Sequence, residues 1–148
     1  MVLRATPAEV FAVLSDPLRW PSVLSDVERI EEEGRGRKGR APGQSWRVHS
    51  RLLGHCHVLE LRREVPSLVH FHVTDAGPGG VLEVDLRLLP STVDGGPATR
   101  VEYTMHTRLP LGLDAVIDED LVRRARERKV LSDLTDLEAR FGGAARPP

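Results

Sequence analysis

The chain has 148 residues, with 21 Lys and Arg against 22 Asp and Glu and a formal net charge of -1 at pH 7. This length suits one domain with one core, and the balanced charge excludes a general electrostatic attraction to nucleic acid or to an anionic membrane. No apolar run approaches the roughly 20 residues of a membrane span, and the first residues lack the order of a signal peptide. We therefore expect a cytoplasmic protein without stable membrane insertion, and the single cysteine, Cys56, agrees with a reducing compartment.

Residues 5–31 predict a capped helix, a proline-bounded turn and the start of a strand. Thr6 can cap the helix, because Glu9 stands at the third helical position and completes a capping box. Asp16-Pro17 ends this helix, and a second short helical turn follows that Trp20 anchors. The buried face of the first helix is predicted to carry its apolar side chains, Val10, Phe11 and Leu14.

From Val27 onwards the pattern changes to strands. Residues 45–53 alternate between apolar and polar side chains, and Gly54 turns the chain into residues 55–65, so these two segments predict a hairpin. The same alternation predicts further strands over residues 68–75, 81–89 and 99–109. One set of side chains should share the inner face of the sheet: Trp46, Val48, Ser50, Leu52, His55, His57, Leu59, Leu61, Val69, Phe71, Val73, Leu82, Val84, Leu86, Tyr103 and Met105. Cys56 should point outward.

After Gly112 the pattern is helical to about Phe141, where Gly142-Gly143 provides a stop. The apolar stripe of the first half of this segment does not continue into the second half, and it breaks near residues 126–129. This break predicts either a kink or a stretch of helix that lines a partly polar cavity. Residues 142–148 read as a non-structural tail.

The opening segment resembles the START/Bet v 1-like (SRPBCC) superfamily, in particular its polyketide cyclase/dehydrase and lipid-transport branch. Four stretches carry the resemblance: Thr6-Pro7-Ala8-Glu9-Val10-Phe11, Ser15-Asp16-Pro17, Trp20-Pro21 and Val27-Glu28-Arg29-Ile30. The resemblance implies a single α+β domain over residues 1–141 with the helix-grip fold. In that fold a curved antiparallel β-sheet wraps around a long C-terminal α-helix, two short helices lie near the N-terminus, and a hydrophobic ligand cavity lies between sheet and helix.

Two features depart from the pattern of that superfamily. Only residues 1–5 are available for the strand that precedes the first helix, so this strand must be short or the native start must lie upstream of Met1. A short edge strand would leave an edge that a second subunit could cover, which makes a homodimer one expected assembly. Val23 and Leu24 stand where many relatives carry a second aromatic residue.

The candidate catalytic residues are Tyr103, His57 and Arg124. Aromatase/cyclase relatives imply that the Tyr103 hydroxyl donates a hydrogen bond to a carbonyl or enolate oxygen, and the alternative is a core tyrosine. An inward imidazole of His57 could carry a proton near neutral pH, and the alternative is a histidine at the rim. Arg124 could anchor a ligand carboxylate or phenolate, or it could form a solvated ion pair with Asp120.

The predicted ligand-binding residues are apolar side chains of the strands and of the last helix: Trp46, Val48, Leu59, Phe71, Val84, Leu86, Met105, Ile117 and Leu121. No metal site is predicted, because the parity of the strands puts the pair His55/His57 and the pair His70/His72 on opposite faces of the sheet.

The resemblance implies a small-molecule enzyme of the polyketide cyclase/dehydrase type without a dissociable cofactor. It would bind a hydrophobic substrate, polyketide-like or lipid, in an internal cavity and guide cyclisation, dehydration or a related proton transfer. The alternative is a non-catalytic carrier or sensor of a lipid or other apolar ligand, for which the same inner residues would serve.

Overall fold

The computed structural model describes residues 1–33, 44–76, 80–108 and 119–142. Within these residues the chain forms seven strands and three α-helices, with a 3-10 turn over Pro17–Arg19 between the first two helices. The elements in chain order are β1 (Val2–Leu3), α1 (Pro7–Leu14), α2 (Trp20–Val23), β2 (Val27–Glu33), β3 (Ser45–Ser50), β4 (Gly54–Glu64), β5 (Leu68–Ala76), β6 (Gly80–Val93), β7 (Gly96–Arg108) and α3 (Glu119–Phe141).

The predicted capping box at the start of α1 is confirmed. The Thr6 hydroxyl accepts a hydrogen bond from the Glu9 amide at 3.2 Å, and the Glu9 carboxylate accepts one from the Thr6 amide at 2.9 Å. The 3-10 turn is capped in a similar way, since Asp16 Oδ1 accepts from the Leu18 amide at 3.2 Å. These caps satisfy backbone donors that a short helix would otherwise leave without a partner.

The seven strands form one curved antiparallel sheet with the order β1-β7-β6-β5-β4-β3-β2. The longest ladder joins β6 to β7 over 13 residue pairs, and its turn places Asp94 and Gly95 at φ 52° and 76°. Two successive positive φ values are the signature of the tight turn whose twist matches that of the flanking strands. Strand β1 is short, as predicted, and pairs only with Thr99 and Arg100 of β7.

The C-terminal helix α3 joins the same core as the sheet. Leu137 is fully buried in the main hydrophobic cluster, and Val130 and Phe141 pack against that cluster. Hydrogen bonds outside the core also hold α3 in place. The Arg4 amide donates to the Gly142 carbonyl at 2.8 Å, and the backbone amide and hydroxyl of Ser25 both donate to Asp136 at 2.8 Å.

The predicted inner face is wrong along β4. Cys56 and Val58 are buried there, whereas Leu61 is exposed and Leu59 lies on the opposite face from Val58. Apolar residues occupy both parities of this strand, so alternation alone does not identify the inner set. The register decides it, because β3 ends at Ser50, and the inner residues of β3 then pair with the inner residues of β4: Val48 with Cys56 and Trp46 with Val58.

An irregularity in the β4–β5 register further along β4 explains why Leu61 is exposed. The pairing shifts between Glu60 and Arg62, so Leu61 is an extra residue opposite β5. After this bulge Arg63 returns to the inner side, where its guanidinium donates to the Ser15 carbonyl at 2.9 Å and lies over the Phe11 ring. The far end of β4 thus supports α1 instead of lining a cavity.

None of the helices described by the structure is both long enough and apolar enough to cross a membrane.

Candidate functional site

A cavity lies between the inner face of the sheet and α3. Its wall is formed mainly by apolar side chains of β3 to β7, closed on one side by Leu14, Trp20 and Leu24 and on another by Lys129 and Asp133 of α3. The cavity volume is about 60 Å³, counted as the space open to the centre of a water-sized sphere. Trp20 fixes one corner, because its indole N–H donates to the Leu14 carbonyl at 3.2 Å and its ring meets Phe71 edge to face.

Five polar side chains form a continuous hydrogen-bonded network along this apolar wall. Tyr103 donates to Asp133 at 2.8 Å, and Lys129 donates to Asp133 at 2.7 Å and to Asp26 at 2.9 Å. Ser50 completes the network by donating to Asp26 at 2.6 Å. The exposed fractions of Asp26, Lys129 and Asp133 are 3%, 6% and 2%, so three charged groups lie together out of water.

The members of this network, hereafter the buried cluster, are positioned by several different elements. Lys129 and Asp133 stand four residues apart on α3 and therefore on one face, one turn before the buried Leu137. Tyr103 lies on the inner side of β7, and Ser50 ends β3. The cluster therefore joins α3 to both halves of the sheet.

Ser50 and Asp26 meet at the turn between β3 and β4. The Ser50 hydroxyl accepts from the amides of Leu52 and Leu53 at 3.2 and 3.1 Å while it donates to Asp26. The Asp26 carbonyl in turn accepts from the Arg51 amide at 2.8 Å. These bonds fix the first carboxylate of the cluster before any ligand enters.

Opposing effects set the ionisation of Lys129 and Asp26. Burial alone would raise the pKa of Asp26, but the positive charge of Lys129 and the hydrogen bonds from Ser50 and Lys129 outweigh it and lower the pKa. Burial would lower the pKa of Lys129, but the two carboxylates raise it instead. Both groups are therefore charged at neutral pH.

The pKa values of Asp133 and Tyr103 are shifted towards the neutral forms, unlike those of Lys129 and Asp26. Burial raises the pKa of Asp133 to about 6, although Lys129 and the Tyr103 hydroxyl both act to lower it. Burial, together with the charge of Asp133, raises the pKa of Tyr103 well above its usual value of 10, so the phenol keeps its proton. Asp133 is thus the group of the cluster that titrates nearest to neutral pH, and Tyr103 is a neutral hydrogen-bond donor beside it.

Several side chains predicted to bind a ligand lie on the cavity wall. They are Val48, Phe71, Val84, Leu86 and Met105, together with the candidate catalytic residue Tyr103. Trp46 lies behind this wall, buried, with its ring edge to face against Phe71 at 6.5 Å between centroids.

Two of the other predicted binding residues, Leu59 and Leu121, do not line the cavity. Leu59 lies on the opposite face of β4, for the reason of register given above. Leu121 is 66% exposed, because the face of α3 that packs inward runs through Lys129, Asp133 and Leu137. Ile117 lies outside the residues that the structure describes.

The structure places His57 and Arg124 away from the cavity, so the predicted inward orientation of His57 is wrong. The His57 side chain is 40% exposed on the outer face of β4 and lies 3.7 Å from the Asp75 carboxylate. The Arg124 side chain is 67% exposed and pairs with Asp120 Oδ2 at 2.9 Å, which is the solvated i,i+4 pair given above as the alternative. Of the three candidate catalytic side chains, only Tyr103 reaches the cavity.

Cys56 lines the cavity, contrary to the predicted outward orientation. Burial raises the pKa of its thiol to about 11. The thiol is therefore protonated at neutral pH and is a poor nucleophile.

The predicted outward orientation of His70 and His72 is confirmed. His70 lies between Asp85 and Glu83, with contacts of 2.6 and 2.7 Å, and His72 meets Glu83 at 2.6 Å. With His55 and His57 also outside the cavity, the two His-x-His pairs share the outer face rather than opposite faces. Across the described ranges no group of three or more metal-ligating side chains is arranged to hold a metal ion.

Sequence reasoning missed Asp26, Lys129 and Asp133. One signal for them was present, because the break in the apolar stripe near residues 126–129 indicated a stretch of helix lining a partly polar cavity. A Lys and an Asp four residues apart are, however, usually a solvated pair on a helix surface. Only the packing of α3 against the sheet shows that this pair is buried.

The chain belongs to the family of polyketide cyclases/dehydrases and lipid-transport proteins, whose family model matches residues 1–142. This places it in the START/SRPBCC superfamily, as predicted. A search of curated proteins found no match.

Solved structures with the same fold come from several bacteria. The Zhui aromatase/cyclase from a Streptomyces species is 18% identical, with a TM-score of 0.67 over 95% of this chain and 89% of that one. A START superfamily protein from Mycobacterium smegmatis is 13% identical, with a TM-score of 0.68 over 95% and 92%. A protein from Thermus thermophilus is 21% identical, with a TM-score of 0.62 over 99% and 96%. At these identities the likeness shows the fold alone.

Proposed function

We propose that the protein is a cyclase/dehydrase-like enzyme that binds an apolar, oxygenated small molecule in its cavity and transfers a proton on it. The observation that carries this proposal is the contact between the Tyr103 hydroxyl and the Asp133 carboxylate, 2.8 Å apart at the wall of an apolar cavity. A neutral donor beside a carboxylate with a pKa of about 6 is a pair suited to acid–base chemistry near neutral pH.

The two groups have complementary roles in the proposed reaction. Tyr103 donates its hydrogen bond to a carbonyl oxygen of the ligand and stabilises negative charge that develops there. Asp133 then loses the hydrogen bond that it accepts from Tyr103 in the free protein. Because a hydrogen bond to the charged form lowers a carboxyl pKa, this loss makes Asp133 more basic, and it removes a proton from the carbon next to the carbonyl.

Lys129 is a positioning residue in this scheme. Its ammonium bridges Asp133 and Asp26, and so holds the Asp133 carboxylate in place without being the group that exchanges the proton. The apolar wall contributes by holding the ligand in one conformation away from water. Because the family includes both cyclases/dehydrases and lipid-transport proteins, the competing function is that of a carrier or sensor with the same cavity.

An assay with a model ketone, which does not require the natural substrate, distinguishes the enzyme from the carrier or sensor. An enolisable, apolar ketone such as 2-tetralone is incubated with the protein in deuterated buffer, and NMR follows exchange of the hydrogens next to the carbonyl. We expect exchange above the buffer rate, and a decrease of about 100-fold or more in Tyr103→Phe and Asp133→Asn, which is the size typical of a lost acid–base group. Thr104→Ala, on the exposed side of the same strand, is the matched control and should keep the wild-type rate.

Two outcomes of this assay would contradict the proposed enzyme function or its residue roles. If the ketone binds to the cavity but exchanges no faster than in buffer, the protein is a carrier or sensor. If exchange is catalysed but is equal in wild type, Tyr103→Phe and Asp133→Asn, the roles given to these two residues are wrong.

A further inference from the structure

The buried cluster contains more negative than positive charge. One ammonium group, on Lys129, stands between the carboxylates of Asp26 and Asp133 at 2.9 and 2.7 Å. With both carboxylates ionised the cluster has a net charge of -1, and it is shielded from water by an apolar wall. Charges interact more strongly in such surroundings than in water, so an entering ligand meets a local field that is negative.

The hydrogen bonds of the cluster support the same conclusion. Each of the three donors, Ser50, Lys129 and Tyr103, points at a carboxylate oxygen of the cluster. The Ser50 hydroxyl also accepts from two backbone amides, and these bonds hold it at the turn between β3 and β4. Any ligand that takes one of these donors removes a partner from a buried carboxylate, but a ligand anion also adds its own negative charge beside that carboxylate, and buried charges without partners are costly.

No other charged group in the described part of the cavity wall compensates for this excess. Lys129 is the only cation among the described lining residues, and no histidine lines the wall. Cys56, on β4, is a neutral thiol. The nearest cation along α3 on the inward side is Arg126, which donates to Thr107 at 3.1 Å and does not line the cavity.

We infer that the cavity selects its ligands by charge, and that it takes molecules whose buried polar group is neutral or cationic while it rejects carboxylates and other anions. The substrate class is then the ketones, phenols, alcohols or amines of apolar molecules, and free fatty acids are excluded. This inference rests on the ligand-binding part of the proposed function, and it does not depend on catalysis.

Three compounds of nearly equal size test the inference: benzyl alcohol, benzylamine and benzoate. At pH 7.5 they carry a neutral, a positive and a negative group on the same ring. Dissociation constants are measured for the wild-type protein from tryptophan fluorescence, since Trp20 lines the cavity. We expect benzyl alcohol and benzylamine each to bind at least ten times more tightly than benzoate. Benzylamine distinguishes the sign of the charge from the cost of burying any charge, because that cost applies to both ions.

The dependence of binding on pH gives a second readout with the same protein. Asp133 is the group of the cluster with a pKa of about 6, and it faces Tyr103 on β7, Lys129 on its own helix and, across Lys129, Asp26. As pH is lowered from about 8 to about 5.5, Asp133 takes up a proton and the cluster becomes neutral. We therefore expect the affinity for benzoate to rise and the affinity for benzylamine to fall, with little change for benzyl alcohol.

Two variants locate the effect. Asp133→Asn should bring the dissociation constants of benzoate and benzylamine closer together and flatten both pH profiles. Asp120→Asn, which removes an exposed carboxylate from the same helix, is the matched control and should leave both unchanged. If Asp133→Asn does not fold, the opposite pH slopes of the two ions in the wild type still test the inference.

The results that would overturn selection by charge differ from those that would overturn the proposed enzyme function. Benzoate binding as tightly as benzyl alcohol, or equal rejection of benzoate and benzylamine, refutes selection by charge and leaves the proton-transfer assay untouched. Failure of all three compounds to bind refutes the inference together with the ligand-binding role of the cavity. Selection by charge without exchange of the ketone supports the inference and refutes only the catalytic part of the proposed function.

Discussion

Lys129 is the side chain on which the buried cluster depends. Its ammonium is 2.7 Å from Asp133 and 2.9 Å from Asp26. Both carboxylates are buried, so water does not replace the ammonium as their hydrogen-bond donor. Two buried carboxylates without the ammonium would repel each other as well as lose a hydrogen bond each. A buried ion pair adds little compared with an apolar replacement of the whole group, but removal of one partner alone is strongly destabilising.

We therefore expect Lys129→Met to lower the free energy of unfolding at pH 7 by about 3 to 5 kcal/mol, which is the usual cost of breaking a buried pair from one side. Urea unfolding followed by circular dichroism measures it. Arg128→Met, at an exposed neighbouring position, is the control and should change stability by no more than about 0.5 kcal/mol.

A double-variant cycle tests whether the cost comes from the charges. Asp133→Asn removes one of the two carboxylates that Lys129→Met leaves without a cation. The double variant Lys129→Met/Asp133→Asn should therefore lose less free energy of unfolding than the sum of the single changes, by about 0.5 to 3 kcal/mol. Strict additivity would show that Lys129 acts through packing of its aliphatic part and not through its charge.

The helices α1 and α3 are stabilised in different ways. The short helix α1 has a complete local signal, because its cap, its first-turn proline and its apolar side chains all lie within residues 6–14. The long helix α3 is dominated by charged residues, and its position is fixed by contacts distant in the chain, such as those of Asp136 with Ser25. Local sequence therefore predicts α1 well, whereas the inward face of α3 depends on its partners.

The capping box makes α1 testable on its own. Thr6→Ala removes the oxygen that accepts from the Glu9 amide, and loss of such a cap costs about 1 kcal/mol. We expect that decrease in the free energy of unfolding, measured by urea denaturation. Thr6→Ser keeps the hydroxyl and should remain close to the wild type, and an equal loss in both variants would contradict a role for the cap.

The buried cluster couples the folding of the protein to pH. The pKa of Asp133 is about 6 in the folded protein, against an ordinary value of 3.8. The folded state therefore binds this proton more tightly than the unfolded state, and the stabilisation is fully present below about pH 4 and lost as pH rises to about 6. The lowered pKa of Asp26 acts in the opposite sense, because its stabilisation is lost as pH falls below the ordinary range.

A comparison of wild type with Asp133→Asn isolates the first of these effects. As pH rises from about 4 to about 7, the wild type should lose stability relative to the variant, and the difference should stop changing above that pH. Urea unfolding at a series of pH values gives both curves. Parallel curves throughout would mean that Asp133 has an ordinary pKa in the folded protein.

Much of the fold follows from local sequence, because the signals involved are short-range. The capping box of α1 and the alternation along β5, β6 and β7 each depend on neighbouring residues, and each appears in the structure as predicted. The family resemblance then supplied the order of helices and strands. Tyr103 was accessible to the same reasoning, since only its strand parity was needed to place it inside.

The tertiary structure alone decided the face of β4 and the composition of the site. Leu59 and Cys56 are both apolar enough to be buried, and only the register with β3 chooses between them. Asp26 and Lys129 are 103 residues apart in sequence, so no local pattern connects them. Charged residues are ordinarily solvated, and a sequence does not show which of them the packing of a helix on a sheet will remove from water. The apolar cavity could be predicted from the chain, but the charges within it arise from that packing.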